Sequence, residues 1–237
     1  MEVQRLDKFI SNQCFELSRS AVKDLVKKGQ VSVNGKPVKK ADEKICPERD
    51  EVCVSGRRIL YKKHLYIMLN KPAGVVCATR DGLSPTVLAL IPDELKRDGL
   101  FPAGRLDKDT EGFVLITDDG ELAHKMLAPK SHVPKLYYVR LESPLVENAE
   151  ESFQEGIVLE DGTSCLPAGL ERINDKECLV TLHEGMFHQV KRMFEALDNK
   201  VSYLKRVRIG GVELDKSLET GKVRELSDDE VKRLLLR

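Results

Sequence analysis

The chain has no tryptophan, few aromatic residues of any kind and no net charge, its 39 Lys and Arg being balanced by 39 Asp and Glu. That balance removes any whole-molecule electrostatic argument for or against a polyanionic partner, so only a local asymmetry can speak. The six cysteines (Cys14, Cys46, Cys53, Cys77, Cys165 and Cys178) lack the close paired spacing of a zinc site or redox motif and read as reduced, mostly packed thiols. No apolar run approaches the length that spans a bilayer, and the start MEVQRLDKF has no apolar leader, so a cytosolic protein without a membrane partner is expected. A dinucleotide fingerprint, a P-loop string and a G-x-S-x-G elbow are also missing, which argues against a nucleotide cofactor and against a serine hydrolase. In HEGMFH the two histidines, His183 and His188, stand five apart across a glycine, whereas a helix-borne zinc pair needs four. No metal and no cofactor is expected.

What is present suffices for a substantial core: 237 residues, 41% of them hydrophobic, fit one large domain or a small one followed by a medium one. The local asymmetry lies at the start, where residues 1–62 carry fourteen Lys and Arg against nine Asp and Glu. Within that segment Leu6, Phe9 and Ile10 have helical spacing. A second helix follows, with Ser18 as N-cap and Gly29 as stop. Its apolar face is Val22, Leu25 and Val26, while Arg19, Lys23 and Lys27, each four apart, line another. VSVNGKPV then reads as a hairpin around Asn34-Gly35, and DEVCVSG as a further strand. A basic stripe is often no more than a solvated helix face.

Beyond Lys63 strands and helices alternate. LYIMLNKPAGVVCAT reads as strand, turn, strand; FVLIT and CLVTL as strands; DDGELAHKML as a helix opened by Asp118 or Asp119. KLYYVRL alternates, with Tyr137, Val139 and Leu141 on one face and Tyr138 on the other. HQVKRMFEAL is a helix with Val190, Met193, Phe194 and Leu197 as its stripe, VSYLKRVRIGGVEL a strand bearing Lys205, Arg206 and Arg208, and SDDE a capping box opening a last helix. GLSPTVLALIPDELKRDGL mixes helix and loop signals. The fold class is α+β with a mixed, largely antiparallel sheet.

The stretch GRLDKDTEGFVLIT, residues 104–117, places three acids just before an apolar strand. Asp107, Asp109 and Gly112 could be ordinary turn residues. The whole pattern says more. The order RLDKFI, SRSAVKDLVKKGQVSVNG resembles the small RNA-binding module named for small-subunit ribosomal protein S-four. LNKP, GRLDKDTEG, KLYYV, and EGMFHQVKRMF followed by LKRVRIG resemble, in that order, the pseudouridine synthases acting on ribosomal RNA. The resemblance implies an S-four-type module over residues 1–62 and a catalytic domain over 63–237. It implies ribosomal RNA as partner, naked or within a partly assembled small subunit. The lysine of HQVKRMF and the single short module are most similar to the members that act on one uridine of 16S ribosomal RNA, position 516. Members acting on 23S ribosomal RNA share nearly every motif.

By the same resemblance Asp107 is the carboxylate at the sugar–base junction, as nucleophile or as stabiliser of a cationic sugar. Arg105 helps take the uridine out of its stack, Tyr137 stacks on the flipped uracil, and Lys191 is the cation that keeps Asp107 ionised in a dry pocket. Arg192 is the rival for that last role. Arg19, Lys23 and Lys27, with Lys205 and Arg206, supply RNA contacts. Two other classes compete: a non-catalytic RNA-binding assembly factor, and a hydrolase pairing Asp107 with Asp109 or Glu111. The sequence is silent on oligomeric state, with a monomer the default expectation.

Overall fold

A computed structural model describes residues 3–236, which fall into two compact units: Met1–Leu65 with Ile91–Leu100, and Tyr66–Leu90 with Phe101–Arg237. In the first unit a short strand β1 (Gln4–Arg5) leads into helices α1 (Leu6–Gln13) and α2 (Arg19–Lys27). Strands β2 (Val31–Val33), β3 (Lys36–Pro37), β4 (Lys44–Ile45), β5 (Val52–Val54) and β6 (Arg57–Ile59) follow. β3-β2-β5-β6 make an antiparallel sheet, and β1 pairs with β4. The Ser18 hydroxyl accepts from the Ala21 amide at 3.2 Å and caps α2. Asn34 and Gly35, both at positive φ, make the hairpin turn. Leu6, Phe9, Ile10, Val22, Val26, Val31 and Val52 close the core. Arg19, Lys23 and Lys27 are all exposed, so the apolar and basic faces of α2 divide as their spacing requires.

The segment with mixed signals forms two short 3-10 turns, Val87–Leu90 and Asp93–Leu95, and its second half, Ile91–Leu100, packs with the first unit.

The second unit is built on nine strands: β7 (Tyr66–Lys71), β8 (Phe101–Ala103), β9 (Glu111–Thr117), β10 (Lys135–Leu141), β11 (Gly169–Asn174), β12 (Glu177–Leu182), β13 (Val201–Ile209), β14 (Val212–Glu213) and β15 (Val223–Glu225). Their order is β11-β12-β10-β13-β9-β7-β15, with β8 added to β9 and β14 to β13. Every pairing is antiparallel except β13 with β9, which run parallel. Helices α3 (Gly120–Leu127), α4 (Ala149–Glu155), α5 (Gln189–Glu195) and α6 (Asp228–Arg233) complete the unit. Asp119 is the N-cap of α3. Val139, Leu141, Val180 and Leu182 pack with Phe153 of α4 and with Val190, Met193 and Phe194 of α5. A second cluster joins Phe113 and Leu115 to α3 and Leu234.

The strand expected at residues 75–79 does not form. Both flanks of β7 are already taken, by β9 and β15, so Val76 instead makes an isolated parallel bridge with Thr86.

The capping box on α6 forms as expected and extends into an ion-pair network. Arg224 of β15 donates to both Glu230 carboxylate oxygens, at 2.7 and 2.9 Å, and to Asp215 at 2.7 Å. The Arg224 hydrogen bonds lower the Glu230 pKa to about 2, against the opposing effect of burial. A carboxylate with its folded pKa depressed stabilises the fold above its unfolded value and loses that contribution as pH falls through the folded one. Glu230→Gln is therefore predicted to lower the stability of this unit by up to about 3 kcal/mol at neutral pH, the deficit narrowing as pH drops from about 5 toward 2. Urea titrations of both proteins across that range check it, and a deficit independent of pH would contradict the assignment.

Candidate active site

The acidic stretch occupies the loop between β8 and β9, and the residue that shapes it lies beneath. Lys71, at the end of β7, is fully buried, and its Nζ donates to the carbonyls of Thr110 (2.7 Å), Asp107 (3.0 Å), Pro72 (3.0 Å) and Lys108 (3.3 Å). Burial pushes its pKa below the usual lysine value, while Cys77 and the acids Asp109, Asp107 and Glu111 pull it back up. The Gly74 amide donates to the Lys108 carbonyl at 2.7 Å, and the Leu106 amide to Cys77 Sγ. The loop is thus pinned at its carbonyl side, and the Asp107 side chain is left one quarter exposed.

Helix α5 brings the opposing charge. Lys191 Nζ lies 3.2 Å from Asp107 Oδ2, and it donates to Asp109 at 2.6 and 2.9 Å. Burial tends to lower the Lys191 pKa, but hydrogen bonds and charge from Asp109 and Asp107 outweigh it and hold the ammonium above its ordinary value. Burial likewise tends to raise Asp109, and Lys191 overcomes it, leaving that carboxyl below the ordinary range. Asp107 and Asp109 therefore face one ammonium from the same turn, and the structure does not place them on opposite sides of a bond as a two-carboxylate hydrolase needs. Arg192 turns elsewhere, to Asp161 at 2.6 Å.

His188 precedes α5 in the left-handed conformation, φ 49°, with Nε2 3.5 Å from Asp107 Oδ1. The other members of HEGMFH face different partners: His183 Nδ1 lies 3.2 Å from the His132 carbonyl, and Glu184 accepts from the Leu166 amide and from Gln189. Gln189, itself buried, also accepts from the Met186 amide and so fixes the turn into the helix.

Tyr137 is half-buried on the β10 face that packs against Val190 and Met193 of α5, while Tyr138 points to the other face, edge-on to Tyr203. Arg105 is exposed and Lys205 half-buried. Arg206 departs from the expected RNA contact: it is 4% exposed, with Nε donating to the Phe113 carbonyl at 2.8 Å and Nη1 reaching the Arg105 carbonyl at 3.4 Å. Arg206 lies two residues after buried Leu204, on the same face of β13, and from there it braces the Asp107 loop.

The sequence pointed to no role for Lys71, to Asp109 only as the partner of Asp107 in a rival hydrolase, and to His188 only as a metal ligand. A charged residue ending an otherwise apolar strand was the available signal for Lys71. For His188 it was the position three residues before Lys191.

With this geometry in hand, residues 65–196 match the family model for RNA pseudouridylate synthase and residues 4–59 that for the S4 domain. The chain belongs to the RNA pseudouridine synthase family and is an isomerase of that class, with an N-terminal S4 domain. It is 45% identical over 231 residues to an uncharacterised RNA pseudouridine synthase of Bacillus subtilis, covering 96% of each chain. It is 43% identical over 230 residues to ribosomal small subunit pseudouridine synthase A of Escherichia coli, covering 96% of this chain and 98% of that one. Among solved structures, the crystal structure of a pseudouridylate synthase aligns over 98% of this chain and 99% of its own, with TM-score 0.69 and 41% identity.

The two basic residues of α5 make a direct test. Lys191→Met is predicted to reduce pseudouridine formation by at least about a hundredfold, on the scale of losing a partly buried charge partner. Arg192→Met, on the Asp161 side, should stay within about threefold of the parent. Turnover of both variants on one RNA substrate decides it, and the reverse ranking would remove Lys191 from the site.

Proposed function

We propose that this protein converts a uridine of ribosomal RNA to pseudouridine in the cytosol, with uridine 516 of 16S ribosomal RNA as its target. The observation that carries the reaction is the Asp107 carboxylate, part open to solvent, set 3.2 Å from the Lys191 ammonium on a loop clamped from below. Asp107 engages C1′ of the uridine as the bond to N1 breaks, the uracil turns, and C5 bonds to C1′. The C5 proton is lost and N1 takes one up, so atoms balance without another reactant. Tyr137 stacks on the turned uracil and Arg105 helps hold the RNA opened around it. What favours the small-subunit target is the naming of relatives at 43% and 44% identity over nearly their full lengths, from Escherichia coli and Vibrio cholerae.

In this reading residues 1–62 bind RNA and residues 63–237 do the chemistry. The exposed Arg19, Lys23 and Lys27 of α2 contact phosphates, Lys205 adds a contact from the catalytic domain, and the enzyme acts as a monomer on free or partly assembled 16S ribosomal RNA.

Two measurements test this. Release of tritium from carbon-five-labelled uridine should occur with 16S ribosomal RNA, alone or in partly assembled subunits, and be abolished by Asp107→Asn with RNA affinity changed less than about threefold. Release from 23S ribosomal RNA alone would move the target, and sustained turnover by the Asn variant would defeat the role of Asp107. Replacing Arg19, Lys23 and Lys27 together by Gln should lower the slope of log affinity against log salt by about 2 to 3. An unchanged slope would make the stripe a solvated face.

A further inference from the structure

Among the described residues Phe187 is the most exposed aromatic side chain, with 73% of its surface in water, in a chain that has few aromatics. Its ring lies flat on the His188 imidazole, with centroids 3.7 Å apart and planes within 18°. The stack covers one face of the phenyl ring and turns the other outward. His188 cannot drift freely beneath it, because its carbonyl accepts from the Arg192 amide at 3.0 Å in the first turn of α5 and its backbone sits in the left-handed region. The imidazole Nε2 in turn lies 3.5 Å from Asp107 Oδ1. Carboxylate, imidazole and phenyl ring therefore follow one another outward from the reacting position, and the last of the three has an uncovered π-face.

We propose that this open face of Phe187 stacks on an unpaired nucleobase flanking the target uridine, so that Phe187 selects RNA whose neighbouring base is unstacked and lies within reach of Asp107. The inference rests on the reading of Asp107 as the reacting carboxylate. The occupant is a nucleobase because the surroundings suit a polyanion: the loop that holds Asp107 also presents exposed Arg105 and Lys108, cations for the phosphates on either side of such a base. Aromatic side chains in single-strand sites act through stacking that any base can satisfy. Phe187 is then a binding residue for substrate, distinct from the groups that act on the sugar.

The test uses the full chain with Phe187→Leu, which keeps apolar volume without a π-face, and Phe187→Trp, which enlarges it. Since the side chain is exposed, neither change touches the core. Steady-state tritium release should show KM raised about tenfold for the Leu variant, with a much smaller change in kcat, and KM within about threefold of the parent for the Trp variant. Independently of turnover, a single-stranded RNA carrying 2-aminopurine between uridines should lose fluorescence on binding the parent and the Trp variant, and keep it on binding the Leu variant. Absence of tritium release by the parent on every ribosomal RNA would sink the synthase reading, leaving the fluorescence comparison to judge the stacking. Equal quenching by parent and Leu variant, equal impairment of Leu and Trp variants, or a loss confined to kcat would overturn the proposal, the last making Phe187 a prop for His188.

Discussion

An ammonium with no access to water is tolerated only where its protons are all taken, and Lys71 meets that condition by converging four backbone carbonyls on one nitrogen. Three protons serve four acceptors, so at least one is shared. Three of those acceptors belong to Asp107, Lys108 and Thr110, in the loop where the reacting carboxylate sits. A loop of this kind ordinarily satisfies its carbonyls with water and is free to move. Here the carbonyls point inward to a strand of the central sheet, so the position of Asp107 follows from β7. The remainder of the site is arranged above that fixed floor.

A second constraint holds the loop where it enters β9. At Gly112, φ +103°, a Cβ would stand 2.2 Å from the Arg206 carbonyl, inside any tolerable contact. The parallel register of β13 against β9 requires this approach, with Arg206 opposite Gly112. Arg206 then spends its guanidinium on the carbonyls of Phe113 and Arg105, one on each side of the acidic turn. The last glycine of GRLDKDTEG is thus a packing requirement of the sheet, whereas the Asp107 side chain in the same motif is one quarter exposed and faces Lys191.

Local order was legible where local rules decide it. The cap at Ser18, the Asn34-Gly35 turn, the Asp119 cap and the Ser227–Glu230 box all form, because each depends on neighbours within a few residues. The alternation in KLYYVRL likewise told the face of Tyr137 from that of Tyr138. Tertiary competition was not legible. Residues 75–79 have strand composition but find both sides of β7 occupied, and the carbonyls of Phe113 and Arg105 that take up the buried Arg206 guanidinium lie far away in sequence. Residues 91–100 go to the first unit for the same kind of reason, since nothing within the segment says which core it will join. At the site, motif order brought Asp107 and Lys191 forward, but the sharing of Lys191 with Asp109 and the approach of His188 come from the placement of α5.

That placement explains the crowding of charge before β9. Asp107 and Asp109, two apart in an extended turn, reach the same ammonium, the first one quarter exposed and the second nearly three quarters. Glu111, two further on, is already in the sheet and accepts from the Tyr203 hydroxyl at 2.7 Å; burial, and after it this hydrogen bond, raises the pKa of that phenol. The acids therefore divide along the chain. Asp107 is held by Lys191 yet left accessible, Asp109 fixes the same ammonium from the solvent side, and Glu111 ties the start of β9 to β13. Lysine suits the first two tasks together, because a compact ammonium with three donors faces both carboxylates from one nitrogen, 3.2 Å from Asp107 and 2.6 Å from Asp109.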